Sequence, residues 1–326
     1  MSPLLYFGMI AGGLLLAIVG ANWLVDGASS IAKKLNISEL VIGLTIVAFG
    51  TSAPELIVST LSTIEGNPDI AIGNVVGSNI FNVFVILGLA AMVYPITIKS
   101  STVWKEIPLS LLAALVLLVS VNDFYFDGTS VSSLNRIDGF IHLGFFIVFL
   151  YYSFYSARSK NDPEQTNTTE VTPTRSLPKS SVMVLAGLVG LFFGGKFLVE
   201  GAIQVAKLFE VDDSIIALTI VAAGTSVPEL ATSVVAAYKR NSDIAIGNVV
   251  GSNIFNIFLI LGVSALIHPL PFNTVMNVDI FMVVLSSVMM LIFTFIGTAR
   301  RITRLEGAIL FLIYVVYVIY LLKVRV

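Results

Sequence analysis

The string DIAIGNVVGSNIFN occurs twice without change, at Asp69–Asn82 and at Asp243–Asn256. The same offset of 174 residues aligns Leu44–Leu56 with Leu218–Leu230 at 11 of 13 positions, and LVDG at 24–27 with LVEG at 198–201. A chain built this way is two copies of one structural unit. Whatever fold it adopts must accommodate each element twice.

The repeated strings sit among apolar runs of 18 to 26 residues, each about long enough to cross a hydrocarbon core as a helix. Of the 326 residues, 56% are apolar and 12% charged, against roughly 25% charge in a soluble domain. The runs fall at 4–26, 38–63, 69–94, 104–121 and 137–157, then at 182–206, 213–238, 243–267, 276–297 and 304–323. Together they predict an all-α polytopic membrane protein of ten transmembrane helices, since a barrel needs short alternating segments instead. Ser156–Ser181, rich in Pro, Thr and charge, reads as a linker. The expected organisation is a first repeat at 1–157, a linker at 158–180 and a second repeat at 181–326. The first 25 residues lack the basic start and cleavage pattern of a signal peptide, so they read as the first span. There is no cysteine to ligate a soft metal or form a disulfide. The formal net charge of −2 suggests no nucleic-acid partner, and no pattern calls for an obligate protein partner.

Five spans per half is an odd number, so the second copy must enter the membrane from the opposite side. Basic residues collect on the cytoplasmic side of membrane proteins. With the N-terminus outside, thirteen Lys and Arg fall in inner segments and four in outer ones. That count places both termini on the extracytoplasmic side of the cell membrane and the linker in the cytoplasm. Inverted repeats are the architecture of secondary transporters, whose broken helices bind substrate near the midplane where the halves meet.

The span at 38–63 carries Gly50, Thr51, Ser52, Pro54 and Glu55 in its middle. Pro54 has no N–H for the carbonyl of Gly50 and crowds it, which breaks the helix and frees backbone oxygens. Ala48, Thr51, Ser52 and Glu55 share one helical stripe, and Ala222, Thr225, Ser226 and Glu229 form its copy. In the neighbouring spans Ser78 and Asn82 are four apart, as are Ser252 and Asn256. All of these offer oxygen. Such a set suits hard cations; Ca²⁺, for one, takes about 6–8 oxygens in flexible geometry. Two carboxylates in a membrane repel unless a positive charge joins them, and no Lys or Arg lies in the stripes. A bound cation or protonation would resolve the conflict. Set against this, proline kinks and small residues also serve plain packing, and Gly73-x-x-x-Gly77 is a helix-packing pattern. Lys196 and Glu200 read as an i,i+4 pair, Asp26 as an interfacial charge, His142 as a packed residue, and Asp123, Asp127, Asp212 and Asp213 as solvated loop acids.

With these paired G-T-S-x-P-E and G-S-N-x-x-N motifs in ten spans, the chain resembles the cation/Ca²⁺ exchanger superfamily, in particular prokaryotic Na⁺/Ca²⁺ exchangers. The resemblance covers nearly the whole chain, with α-repeats at roughly 40–88 and 214–262. It implies a secondary active antiporter rather than an enzyme, with no cofactor, working by alternating access between Ca²⁺ and Na⁺ across the lipid bilayer. Carried over by position, Glu55 and Glu229 would be the shared central ligands. Thr51, Ser52, Thr225, Ser226, Ser78 and Ser252 would supply hydroxyl or nearby backbone oxygens. The carbonyls of Ala48 and Ala222 would serve outlying Na⁺ sites, and Asn82 and Asn256 would complete the centre. The first and sixth spans would slide across the other eight. Some relatives have Asp where this chain has Asn256, so the site carries at most two negative charges, which leans against K⁺ dependence. Ca²⁺/H⁺ exchange through the same carboxylates is the alternative coupling. An ion channel and an intramembrane hydrolase are more distant readings.

Overall fold

A break in the second span organises the architecture. The computed structural model describes residues 3–123, 128, 132–158, 175–209, 222–296 and 300–324. Within it, α1 (Pro3–Leu35) leads to α2 (Glu39–Thr51) and α3 (Ala53–Ile64), which meet at Ser52 with a bend of 46°. Pro54 stands in the first turn of α3, where its missing N–H leaves no internal bond unmade. α4 (Pro68–Val93) and α5 (Thr102–Ser120) follow, then α6 (Arg136–Arg158).

The second half repeats the sequence of elements. α7 (Leu177–Leu208) corresponds to α1, and α8 (Val227–Tyr238) to α3, with Pro228 in its first turn and a short turn at Ala222–Gly224 before it. α9 (Ser242–Ile267) and α10 (Thr274–Phe293) correspond to α4 and α5, and α11 (Arg304–Val324) to α6. Among the described residues, eight helices are long and apolar enough to cross a membrane, nine with α2 and α3 as one bent span. The chain is an all-α, multi-pass membrane protein. The expected span at 213–238 is described only from Ala222 onward, its earlier part lying outside the described residues.

Two short antiparallel ladders express the inverted relation of the halves. β1 (Ile96–Thr97), between α4 and α5, pairs with β4 (Arg301–Ile302), just before α11. β2 (Ser133–Leu134), just before α6, pairs with β3 (Leu270–Pro271), between α9 and α10. Each ladder is the repeat counterpart of the other. Because α5 runs from the segment holding β1 to the segment holding β2, the two ladders cap opposite ends of the helix bundle.

α4 and α9 form the centre: 83% and 78% of their most apolar windows are buried, against 22% in α1 and in α11. α1 and α7 instead pack against each other in antiparallel fashion through glycines seven residues apart, Gly13, Gly20 and Gly27 on one helix and Gly187, Gly194 and Gly201 on the other. A Cβ on Gly20 would lie 2.8 Å from the Gly187 carbonyl oxygen, and one on Gly194 would lie 2.6 Å from the Ala17 nitrogen. Lipid tails are as apolar as leucine, so close backbone approach of this kind holds membrane helices together. Gly247 and Gly251, the second-copy counterparts of Gly73 and Gly77, approach backbone closely. A Cβ on Gly251 would meet the Leu44 carbonyl oxygen at 2.7 Å, and one on Gly247 the Leu40 carbonyl oxygen at 2.9 Å. At Gly73 itself a Cβ would meet the Met276 Cε at 3.7 Å, and at Gly77 nothing among the described residues within 4 Å, residues 214–218 lying outside the described ones.

The boundaries of α1 and α7 exceed the expected 4–26 and 182–206. At 33 and 32 residues and 1.5 Å per residue, each is about 50 Å long, well over a hydrocarbon core of about 30 Å. The added turns are polar: Ser30 receives hydrogen bonds from the Arg175 backbone N–H at 2.9 Å and from Ser180 at 2.9 Å. Helix therefore begins at Leu177, inside the expected linker, and residues 159–174 of that linker lie outside the described residues.

Candidate cation site

Each break places a carboxylate in the first turn of a new helix, Glu55 in α3 and Glu229 in α8. A helix N-terminus favours negative charge through its unpaired N–H groups. Both carboxylates are 1% exposed, and each reaches across to the other half. Ser52 donates to Glu229 Oε1 at 3.0 Å, and Ser226 donates to Glu55 Oε1 at 3.0 Å. Ser252 Oγ lies 3.0 Å from the Ser52 hydroxyl, Ser78 Oγ lies 3.1 Å from that of Ser226, and Ser78 also donates to Glu55 Oε1 at 3.4 Å.

The hydroxyls one position earlier do the same work with different partners. Thr51 donates to Asn248 Oδ1 at 3.1 Å, and Thr225 to Asn74 Oδ1 at 3.2 Å. Asn74 in turn donates to the Glu55 carbonyl at 3.3 Å and to Ser59 at 3.0 Å. Its copy Asn248 donates to the Glu229 carbonyl at 3.3 Å and to Ser233 at 3.0 Å. Asn82 donates to Asn253 Oδ1 at 3.0 Å, and Asn256 to Asn79 Oδ1 at 2.9 Å. The carbonyl of Ala48 accepts the Ser52 N–H at 2.9 Å, and Ala222 opens the short turn that precedes Ser226.

Glu55, Ser226 and Ser78 thus form one cluster and Glu229, Ser52 and Ser252 its counterpart. Thr51 and Thr225 are tied to the Glu229 and Glu55 carbonyls through Asn248 and Asn74, while Asn82 and Asn256 belong to a separate network with Asn253 and Asn79. Asn74, Asn79, Asn248 and Asn253 are the members that the motif reading passed over, although they stand inside the duplicated string. Their signal was available: a buried amide in a membrane helix needs partners, and four of them sit beside the predicted oxygens.

Among the candidate site residues, four buried side-chain atoms have no hydrogen-bond partner: Glu55 Oε2, Glu229 Oε2, Asn82 Oδ1 and Asn256 Oδ1. All are acceptors. The described ion pairs lie elsewhere, joining Asp26 to Lys239 at 2.5 Å and to Arg175 at 3.7 Å, Lys99 to Asp243 at 2.5 Å, and Lys196 to Glu200 at 3.8 Å. Lys196 and Glu200 form the expected i,i+4 pair, but they and Asp26 lie two turns or more inside α7 and α1, which run on to Leu208 and Leu35, rather than at helix ends. Asp123 holds the Ser133 N–H at 2.9 Å, while Asp127, Asp212 and Asp213 lie outside the described residues. His142 is fully buried, 5.9 Å from the Phe258 ring. Among the described residues no trio of His, Cys, Asp or Glu gathers. The donor set is two carboxylates, hydroxyls and amides, which fits a hard cation.

The model of the family described as sodium/calcium exchanger protein matches residues 5–155 and 179–323. The chain belongs to that family. It is 39% identical to the putative antiporter CaxA of Alkalimonas amylolytica, covering 93% of this chain and 94% of that one. It is 34% identical to the sodium/calcium exchanger MaX1 of Methanosarcina acetivorans, over 93% and 94% of the two chains. A structure of the sodium-calcium exchanger NCX_Mj superposes with a TM-score of 0.82 at 32% identity, covering 98% of this exchanger and 100% of that chain. The exchanger is a cation/Ca²⁺ antiporter, a secondary transporter and not an enzyme.

Proposed function

We propose that this exchanger moves Ca²⁺ against Na⁺, and that Glu55 and Glu229 are the ligands both ions use. The observation that carries the reading is the set of four buried, donorless acceptor oxygens, two of them carboxylate, with no cationic side chain among their described partners. A buried carboxylate without a counter-charge costs several kcal/mol. One Ca²⁺ would neutralise both carboxylates, with the hydroxyls of Ser52, Ser78, Ser226 and Ser252 and the carbonyl oxygens of Asn82 and Asn256 filling its shell. Thr51, Thr225 and the carbonyls of Ala48 and Ala222 would line flanking Na⁺ sites.

Coupling follows from electrostatics. Ca²⁺ and Na⁺ compete for the same oxygens, and the ion-free pair of carboxylates resists being sealed from water, so the protein changes face only when loaded. The moving part in this reading is the α1–α7 pair, whose glycine contacts allow sliding over the bundle that holds the site. Two inverted five-helix repeats joined by a cytoplasmic linker, with both termini outside, complete the proposed organisation.

The test is ion flux in proteoliposomes. An outward-directed Na⁺ gradient should drive ⁴⁵Ca²⁺ uptake, with no uptake under a pH gradient when Na⁺ is absent. Ca²⁺ uptake under the pH gradient alone would replace Na⁺ by H⁺ as the coupled ion.

A further inference from the structure

The central oxygens are useful to a cation only if the right edge of each amide faces it. Asn82 and Asn256 each carry one carbonyl oxygen and one NH₂ group of nearly the same shape. Rotated by a half turn, either would point N–H groups at the ion and repel it. Something must fix the choice.

The fixing starts at two backbone carbonyls. Asn79 Nδ2 donates to the Asn253 carbonyl at 3.3 Å, and Asn253 Nδ2 donates to the Asn79 carbonyl at 3.5 Å. A backbone carbonyl can only accept, so the NH₂ edge of each of these amides is assigned without ambiguity. Their Oδ1 atoms are then the edges left over. Asn79 Oδ1 accepts from Asn256 Nδ2 at 2.9 Å, and Asn253 Oδ1 accepts from Asn82 Nδ2 at 3.0 Å. Since Asn256 and Asn82 spend their NH₂ groups there, their own oxygens are the donorless ones. All four residues are at most 1% exposed, so water offers no competing partner. The helices loosen just where this network sits, with π-helical turns at Asn82–Leu87 and Phe255–Leu261. Such turns shift the acceptors of the i→i−4 ladder.

We infer that Asn79 and Asn253 are positioning residues: they aim the carbonyl oxygens of Asn256 and Asn82, respectively, into the cation site. The inference rests on the proposed site and adds to it a second layer that touches no ion. It also accounts for an amide at position 256, because a carboxylate there would set an acceptor against Asn79 Oδ1.

A double-mutant cycle tests it, using purified full-length protein. Ca²⁺ binding is read by calorimetry, half-saturation and maximal rate by flux, and folding by thermal melting. Asn79→Leu frees Asn256 to turn and should raise the half-saturating Ca²⁺ by about ten- to hundredfold, the cost of losing a hydrogen-bonding group to a charge. The maximal rate should change far less. In an Asn256→Ala background Asn79→Leu should add almost nothing, because its target is gone. Asn253→Leu with Asn82→Ala repeats the cycle in the other half and serves if Asn79→Leu does not fold. Additive effects within a cycle, or unchanged half-saturation in a folded single variant, would overturn the inference. Glu55→Gln measured alongside separates the two layers. If it binds Ca²⁺ normally, the site itself is wrong; if it loses Ca²⁺ while the Asn variants do not, only the positioning role fails.

Discussion

Glu55 and Glu229 are each bonded through one oxygen and left bare at the other. Oε1 takes a serine hydroxyl from the opposite half while Oε2 has no donor. Replacing Glu55 by Gln removes a buried charge that no side chain balances. The ion-free protein should therefore melt at the same temperature as wild type or higher. What should vanish is stabilisation by ligand. Ca²⁺ at a hundred times its dissociation constant stabilises a folded protein by about 2.7 kcal/mol. Scanning calorimetry with and without Ca²⁺ should show this shift in wild type and none in Glu55→Gln or Glu229→Gln. A normal shift in both variants would contradict their assignment as ligands.

The elements carry two separate tasks, and glycine and proline divide them. Proline at positions 54 and 228 starts a new helix where a continuous one would have bonded its carbonyls internally. Glycine at positions 20 and 187 lets α1 and α7 touch backbone to backbone. Gly20→Ala puts a methyl group 2.8 Å from both the Gly187 carbonyl oxygen and the Leu191 nitrogen, an overpacking that costs about 1–3 kcal/mol. It should lower the melting temperature and slow flux while leaving the Ca²⁺-dependent shift intact, because the site is built on other helices. Gly12→Ala is the control on the same helix, since a Cβ there meets nothing within 4 Å. Equal effects of the two substitutions would count against a packing contact specific to Gly20.

For the molecule as a whole, the two ladders cap opposite ends of the bundle, and in the proposed topology, which rests on the balance of basic residues, the β1–β4 end faces the cytoplasm. The absence of cysteine makes this direct to check. Thr97 and Thr274 are both exposed. In right-side-out vesicles, a membrane-impermeant maleimide should label Thr274→Cys from outside and leave Thr97→Cys unmodified until the membrane is opened. The reverse pattern would invert the proposed topology without disturbing the repeat relation.

Much of this was legible in the residues because it depends on local pattern. Apolar length forces membrane helices, an odd number of spans in a duplicated chain forces inversion, and proline beside a carboxylate marks a costly break. Glu55, Ser52 and Ser78, with their copies Glu229, Ser226 and Ser252, could be chosen on those grounds alone. What tertiary structure decided is which half each side chain serves. Ser52 bonds Glu229 rather than its near neighbour Glu55, and Asn79 bonds Asn253 and Asn256 from the other repeat. Helical spacing describes only contacts within one element, whereas these join different halves, the α2–α3 break to α8 for Ser52 and α4 to α9 for Asn79. The orientation of an amide depends on partners far away in sequence, so the aim of Asn82 and Asn256 became visible only once the two copies were folded against each other.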